Sequence, residues 1–382
     1  MKKLMLLAWV LILIFLFVAC STHNYDSNES NTQTDTKSTS TAEPTSTTES
    51  TTADDTEADE PDLNILLDIS GIDENIVADA YNCIDLIIDC ALEQIETLVN
   101  PTLSRVRFPF EPQDNRTRLS DAQQAIYDRL KAEIESFQSF TYTSEKDYVG
   151  VVDDVMAACY ALFNDYPELK NCTTTREINE KVNGNMMTVG IQSAYIRPWD
   201  GTNTPLLEDE IKYAKEDQDH FLAITHRIIE RMPRDCSTID QYMYLASIIC
   251  LTTEYDFEMQ GGLHMCTPYG AISGKTKAIC EGYARGYEWL CRQAGLYCKF
   301  VEGADFANFA HSWNMVKIED GTYYVDITWM RDEPGTFFWD SYFLLTQEQL
   351  LRNHVILDGT QADGTKDYQN DYFRLIEQDT NN

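Results

Sequence analysis

Between Cys280 and Trp329 the hydrophobic period changes from helical to strand-like, and this order restricts the folds open to the chain. Ala284, Tyr287, Leu290 and Cys291 follow helical spacing, and Gly295 is a natural C-terminal stop. Beyond it, Leu296-Tyr297-Cys298-Lys299-Phe300-Val301 reads as a strand. A Gly-bearing loop leads to a second strand, Ala310–Ile318. Glu319-Asp320-Gly321 is a turn signal, and Thr322–Trp329 reads as a third strand. A helix followed by an antiparallel hairpin predicts an α+β fold in which the helix packs on the sheet.

Upstream the pattern is helical. Ile76, Ala80, Ile84, Ile87, Ile88, Ala91, Ile95 and Leu98 form an amphipathic stripe closed by Pro101. A second helix starts at Ser120 or Asp121, with Ala125, Ile126, Leu130, Ile134 and Phe137 as its stripe. A third spans roughly Tyr148 to Phe163. Met187–Tyr195 alternates as a strand. Helical patterns return from Leu206 to Met232 and from Thr238 to about Thr253. The polar stretch 258–277 reads as a long loop, a length at which loops are usually functional.

The first sixty residues stand apart. Lys2-Lys3 precede an apolar run from Leu4 to Ala19, too short for a spanning helix and suited to a secretory signal. The run ends Leu16-Phe17-Val18-Ala19-Cys20, which resembles a bacterial lipobox, with Phe17 where Leu is usual. The resemblance implies a lipid on Cys20 and an anchored, extracytoplasmic protein at the cell membrane. An uncleaved membrane anchor is the other reading. Nineteen of residues 21–60 are Ser or Thr, and almost none is apolar, which predicts a disordered tether. The boundaries that follow are a signal over 1–20, the tether over 21–60, a mostly helical region over 61–205 and a second unit over 206–382 with its core at 235–355.

The net charge of −34 divides unevenly: the first nineteen residues carry +2, residues 20–60 carry −9, and the remainder carries −27. No basic cluster is available to hold a phosphate backbone, so nucleic acid is not an expected partner. None of the eleven cysteines forms a Cys-x-x-Cys pair; several sit in apolar helical patterns as small buried hydrophobes. His220, His226 and His264 have no ligand-forming neighbours along the chain, and no EF-hand loop is present. No metal or other cofactor is therefore expected.

Cys280 falls at or just before the first turn of its helix, where amide hydrogens favour a thiolate. Cys280, His311 and Asp326 supply, in chain order, a nucleophile, a base and a carboxylate to orient the base. Closing the hairpin around Asp320-Gly321 pairs Glu319 with Thr322 and sets Asp326 opposite Met315. Asp326 then shares a sheet face with His311, but His311 lies four residues, about 13 Å, farther along the strand.

Cys280-Glu281-Gly282-Tyr283-Ala284, His311-Ser312-Trp313-Asn314 and Asp326-Ile327-Thr328-Trp329 resemble the motifs of the transglutaminase-like superfamily of papain-fold thiol enzymes. Their order and intervals also look like the family. Tyr255-Asp256, Tyr342-Phe343-Leu344-Leu345 and His354 add to the similarity, which covers about 235–355. Ala278-Ile279 stands where the family usually has Gly-Val, a departure that removes no reacting group. The resemblance implies a papain-like core and catalysis by Cys280, His311 and Asp326. The thiolate attacks an amide carbonyl of a protein or peptide, and water or an amine resolves the thioester. The Cys280 amide and a second donor would hold the oxyanion, with Tyr269, Ser273 and Thr276 as candidates for the second. Trp313 and Trp329 read as core aromatics, or alternatively as shields over the thiol, and Glu281 as a helix-start charge. Cell-wall peptides, host proteins and secreted proteins are all candidate substrates. The alternative function is a catalytically silent binding module of the same fold at the cell surface.

Overall fold

The computed structural model describes residues 67–96, 107–110, 114–136, 140–143, 148–181, 184–193, 208–258, 262–319, 321–331 and 339–356. The apolar start, Cys20 and the Ser/Thr-rich segment lie outside the described residues. Among the described residues, no helix is long and apolar enough to cross a membrane.

The architecture is α+β, with a helical N-terminal region ahead of a four-stranded antiparallel sheet. Helix α1 spans Glu74–Glu96 and α2 spans Asp121–Glu135. Ser120 caps α2 in a reciprocal box with Gln123, which satisfies two first-turn amides. The buried face of α2 runs through Gln123, Ile126, Tyr127, Leu130 and Ile134, whereas Ala125 of the expected stripe faces out. After β1 (Phe140–Thr143) comes α3 (Tyr148–Asp165). Leu119, Ile126, Leu130, Val155, Ala158 and Leu162 join α2 and α3 in a core of their own.

The strand expected at 187–195 is β3 (Gly184–Ser193), the centre of a three-stranded antiparallel sheet. β1 flanks it on one side and β2 (Cys172–Lys181) on the other. β2 reads Cys-Thr-Thr-Thr-Arg-Glu-Ile-Asn-Glu-Lys. It carries no apolar alternation, so its pairing leaves no trace in the hydrophobic pattern.

The second core gathers chain from both ends. It includes Ala80, Ile84 and Ile88 of α1 and Phe221, Ile224 and Ile228 of α4 (Glu208–Glu230). It also includes Ile248 of α5 (Thr238–Thr252) and Leu290 of α7 (Cys280–Gln293). Arg227 clamps Asp85 through two nitrogens, at 2.7 and 3.0 Å, and fixes α1 beside α4. Within the 258–277 stretch, residues 262–277 are more ordered than their composition suggests. They contain a 3-10 turn, Gly262–Cys266, and a short helix α6, Pro268–Ile272. Thr267 caps α6 and Pro268 starts it, a pairing of residues suited to a helix beginning.

The main sheet has the order β6–β5–β4–β7. Its strands are β4 (Cys298–Asp305), β5 (Ala310–Ile318), β6 (Gly321–Val325) and β7 (His354–Ile356). Three short helices lie between β6 and β7: α8 (Ile327–Met330), α9 (Trp339–Tyr342) and α10 (Gln347–Leu350). The sheet packs on α7, and the Asn314 side chain donates to the Ala284 carbonyl across that contact at 2.9 Å. Glycine is required at Gly303, where a Cβ would meet the Val355 carbonyl at 2.2 Å and the Trp313 ring at 2.3 Å.

Because Ile88 is fully buried between α1 and this core, Ile88→Ala should cost about 2–5 kcal/mol. Leu86→Ala, two residues away but 73% exposed, should change stability by less than about 0.5 kcal/mol. Urea denaturation of the two variants measures the difference.

Candidate active site

Cys280 is the first residue of α7, and Ile279, in an extended conformation, is its N-cap. Ile279 has no oxygen with which to cap the helix. The chain before Cys280 is instead held by backbone bonds on two sides. Ala278 donates to the Glu254 carbonyl at 3.1 Å, and Asp256 donates to the Ala278 carbonyl at 2.9 Å. The Ile279 amide donates to the Met265 carbonyl at 2.9 Å. This explains the glycine two residues after the thiol. A Cβ on Gly282 would lie 2.3 Å from the same Met265 carbonyl. Cys280 itself is buried.

His311 and Asp326 meet directly. His311 Nε2 donates to Asp326 Oδ2 at 2.8 Å. The register that achieves this differs from the expected one. Ile318 pairs with Gly321 and Asn314 with Val325, and Glu319, just after Ile318, has a positive φ of 54°. The shift of two residues keeps every side chain on its face and brings Asp326 level with Trp313 rather than Met315. The expected four-residue offset falls to two. A second difference closes the rest: β6 ends at Val325, and Thr322–Trp329 is not one strand. Asp326 leaves the sheet as the N-cap of α8, where its Oδ1 accepts from the Trp329 amide at 3.2 Å. A capping carboxylate points onward into the first turn of its helix, which here is toward the His311 end of the hairpin.

Asp326 has a second imidazole partner. His354 Nε2, at the start of β7, donates to the same Oδ2 at 3.1 Å. The sequence marks His354 only through its resemblance; nothing in its spacing brings it to the carboxylate. Asp326 and the His354 side chain are wholly buried and His311 nearly so. Burial works to raise the Asp326 carboxyl. The charge of His311 and the hydrogen bonds from both rings outweigh it and hold the carboxyl well below the usual carboxylate range. An ionised carboxylate only accepts, so both Nε2 atoms carry protons, and a neutral His311 presents its lone pair at Nδ1.

Aromatic rings confine the pair. Trp329 stacks on His311 with centroids 4.9 Å apart and lies 4.5 Å from His354. Trp313 is completely buried and meets His354 edge-on at 4.8 Å. Trp313 is thus a core aromatic, whereas the partly exposed Trp329 covers the imidazole. Of the residues considered as oxyanion donors, the Ser273 hydroxyl accepts from the Lys275 amide and the Thr276 hydroxyl donates to the Lys277 carbonyl. Tyr269 is buried against Phe221 of α4. His311, Asp326 and His354 also offer three potential metal-ligand atoms within 4.8 Å of one another, though both rings already engage Oδ2 as donors.

Replacing Asp326 by Asn should destabilise the fold by about 3–5 kcal/mol at neutral pH, the usual cost of breaking a buried charge pair. The folded-state pKa of Asp326 lies below its unfolded value of about 3.9, so its contribution is complete above roughly pH 4 and is lost as pH falls through the folded pKa. Urea titrations at stepped pH should therefore show the gap between wild type and Asp326→Asn narrowing below roughly pH 4.

No family model matches the chain. The chain is 24% identical over 209 residues to kyphoscoliosis peptidase of Mus musculus and 23% identical to the human protein of the same name. Each match takes in 48% of this chain and 32% of the relative, so the chain spans about a third of the length of the curated relatives it matches. This distant similarity to a named peptidase fits a thiol enzyme of the general transglutaminase-like kind.

Proposed function

We propose that the chain is a thiol enzyme that acts on amide bonds of proteins or peptides through a thioester on Cys280. The observation that carries this reading is the buried His311–Asp326 bond, made through Nε2, on the sheet that packs against the helix opened by Cys280. The similarity to a peptidase and the order of the three motifs support it.

In this mechanism His311 Nδ1 takes the Cys280 proton and the thiolate attacks the amide carbonyl. The imidazolium is stabilised by the Asp326 carboxylate, which also fixes its tautomer. The oxyanion is held by the Cys280 backbone N–H and a second donor. The imidazolium returns its proton to the departing ammonia or amine. His311 then activates water, which releases an acid, or an amine, which forms a new amide. Trp329 keeps the His311 ring from swinging away from Asp326. The name of the relatives favours water as the acceptor. We further propose that the first twenty residues direct export and that a lipid on Cys20 anchors the enzyme at the outer face of the cell membrane.

Ammonia release from glutamine peptides, with and without an added primary amine, tests the reaction, alongside cleavage of an unmodified peptide library. Cys280→Ala should abolish turnover, and Asp326→Asn should lower kcat by about 10⁴-fold. Undiminished turnover in Cys280→Ala would sink the proposal. Amine incorporation that outpaces hydrolysis would assign transfer rather than cleavage.

A further inference from the structure

Along the chain His220 has no ligand-forming neighbour, but in space α1 brings it two. Asp79 and Cys83 stand one turn apart on one face of α1, and His220 faces them from α4. The three offer a carboxylate oxygen, a thiol sulfur and an imidazole nitrogen, all within 4.8 Å of one another. We propose that Asp79, Cys83 and His220 form a site for a soft divalent transition metal, Zn²⁺ by the chemistry of its ligands.

The state of His220 is the observation that calls for a ligand. Its side chain is only 5% exposed, and neither ring nitrogen makes a hydrogen bond among the described residues. Nε2 lies 3.3 Å from Asp79 Oδ2, close enough for an ion pair but not aligned as a hydrogen bond. A buried polar ring left in this way costs free energy unless something occupies its lone pair. Burial, reinforced by Lys275, lowers the His220 pKa, against opposition from Asp79 and Asp217. A neutral imidazole nitrogen is the form that coordinates a metal. Lys275 is paired with Asp217 at 3.2 Å, so its charge is matched within the same cluster.

The geometry suits the ion. Zn²⁺ binds nitrogen and oxygen at about 2.0–2.2 Å and sulfur at about 2.3 Å. Tetrahedral ligands then stand about 3.3–3.6 Å apart. The His220–Asp79 distance already falls in that range. Asp79 and Cys83, which would close the rest, are both exposed on the helix surface. Cys83 loses its proton on binding, and water fills the fourth position. The bound ion would pin α1 to α4, and none of its ligands belongs to the Cys280, His311 and Asp326 set. This makes it a stabilising site separate from the thiol chemistry.

The test titrates Zn²⁺ into reduced, chelator-stripped full chain against a competing chromophoric chelator, with Co²⁺ as a second probe. One saturable site is expected, with a thiolate-to-Co²⁺ charge-transfer band and an unfolding midpoint raised by about 5 °C when Zn²⁺ is in hundredfold excess over Kd. Cys83→Ser and Asp79→Asn alter exposed side chains and leave the fold intact. Each should weaken binding at least about tenfold, and Cys83→Ser should remove the band. Absence of saturable binding, or binding unchanged in both variants, overturns the site. So does a Zn²⁺ ion that is lost with His354→Ala and kept by Cys83→Ser, since that ion sits at Asp326.

Discussion

A carboxylate with no route to water has to be surrounded by donors, and much of the sheet's far end is organised to supply them to Asp326. Two imidazoles donate to one oxygen and the Trp329 amide to the other. Each such bond to a charged group is worth about 1.5–3 kcal/mol, and together they are of the same order as the several kcal/mol by which burial penalises the ion. The donors come from three places in the chain: His311 from β5, Trp329 from the turn after β6, and His354 from the edge strand β7. Removing any of them leaves a buried charge short of a partner. The carboxylate thus holds β7, an edge strand of only three residues, against the body of the sheet.

That requirement also decides what happens to the backbone. Had β6 continued to Trp329, Asp326 would have pointed from a flat ladder toward a histidine two residues away along the neighbouring strand. Ending the strand at Val325 lets one carboxylate cap α8 with Oδ1 and bind two rings with Oδ2. The ring stack follows from the same turn, because α8 brings Trp329 back over His311. Packing and orientation of the base are therefore one structural event, set by the residue that terminates a strand.

Much of this was legible before any coordinates. The helix opened by Cys280, its Gly295 stop and the strand at 310–318 are carried by hydrophobic period and by turn residues, which are local signals. The parity that puts His311 and Asp326 on one face is also local, since side chains alternate with period two whatever the register. The register itself was not legible. Two hairpins differing by two residues present the same faces; in the observed one Glu319 takes a left-handed conformation. His354 could not be placed by pattern, because β7 gains its position from contact with β4 and from the buried carboxylate. The meeting of α1 with α4 was equally hidden, since an amphipathic stripe states that a helix is buried on one side but not against what.

The placement of the thiol rests on backbone rather than on side chains. A helix with Ile279 as its N-cap has no capping oxygen, so its direction must be fixed by other means. The strand-like residues 254–256 hold Ala278 from one side, and Met265 holds Ile279 from the other. The 3-10 turn at Gly262–Cys266 can lie this close to the helix only because Gly282 has no Cβ, and α6 can lie close behind it because a Cβ on Gly270 would strike the His264 carbonyl at 2.1 Å. The stretch that composition marks as a loop is accordingly a brace. Its glycines trade side-chain packing for close backbone approach, and the start of α7 is clamped where a capping side chain would have fixed only one amide. A nucleophile held this way does not depend on the rotamer of any neighbour, which suits a residue whose approach angle to a carbonyl decides its reactivity.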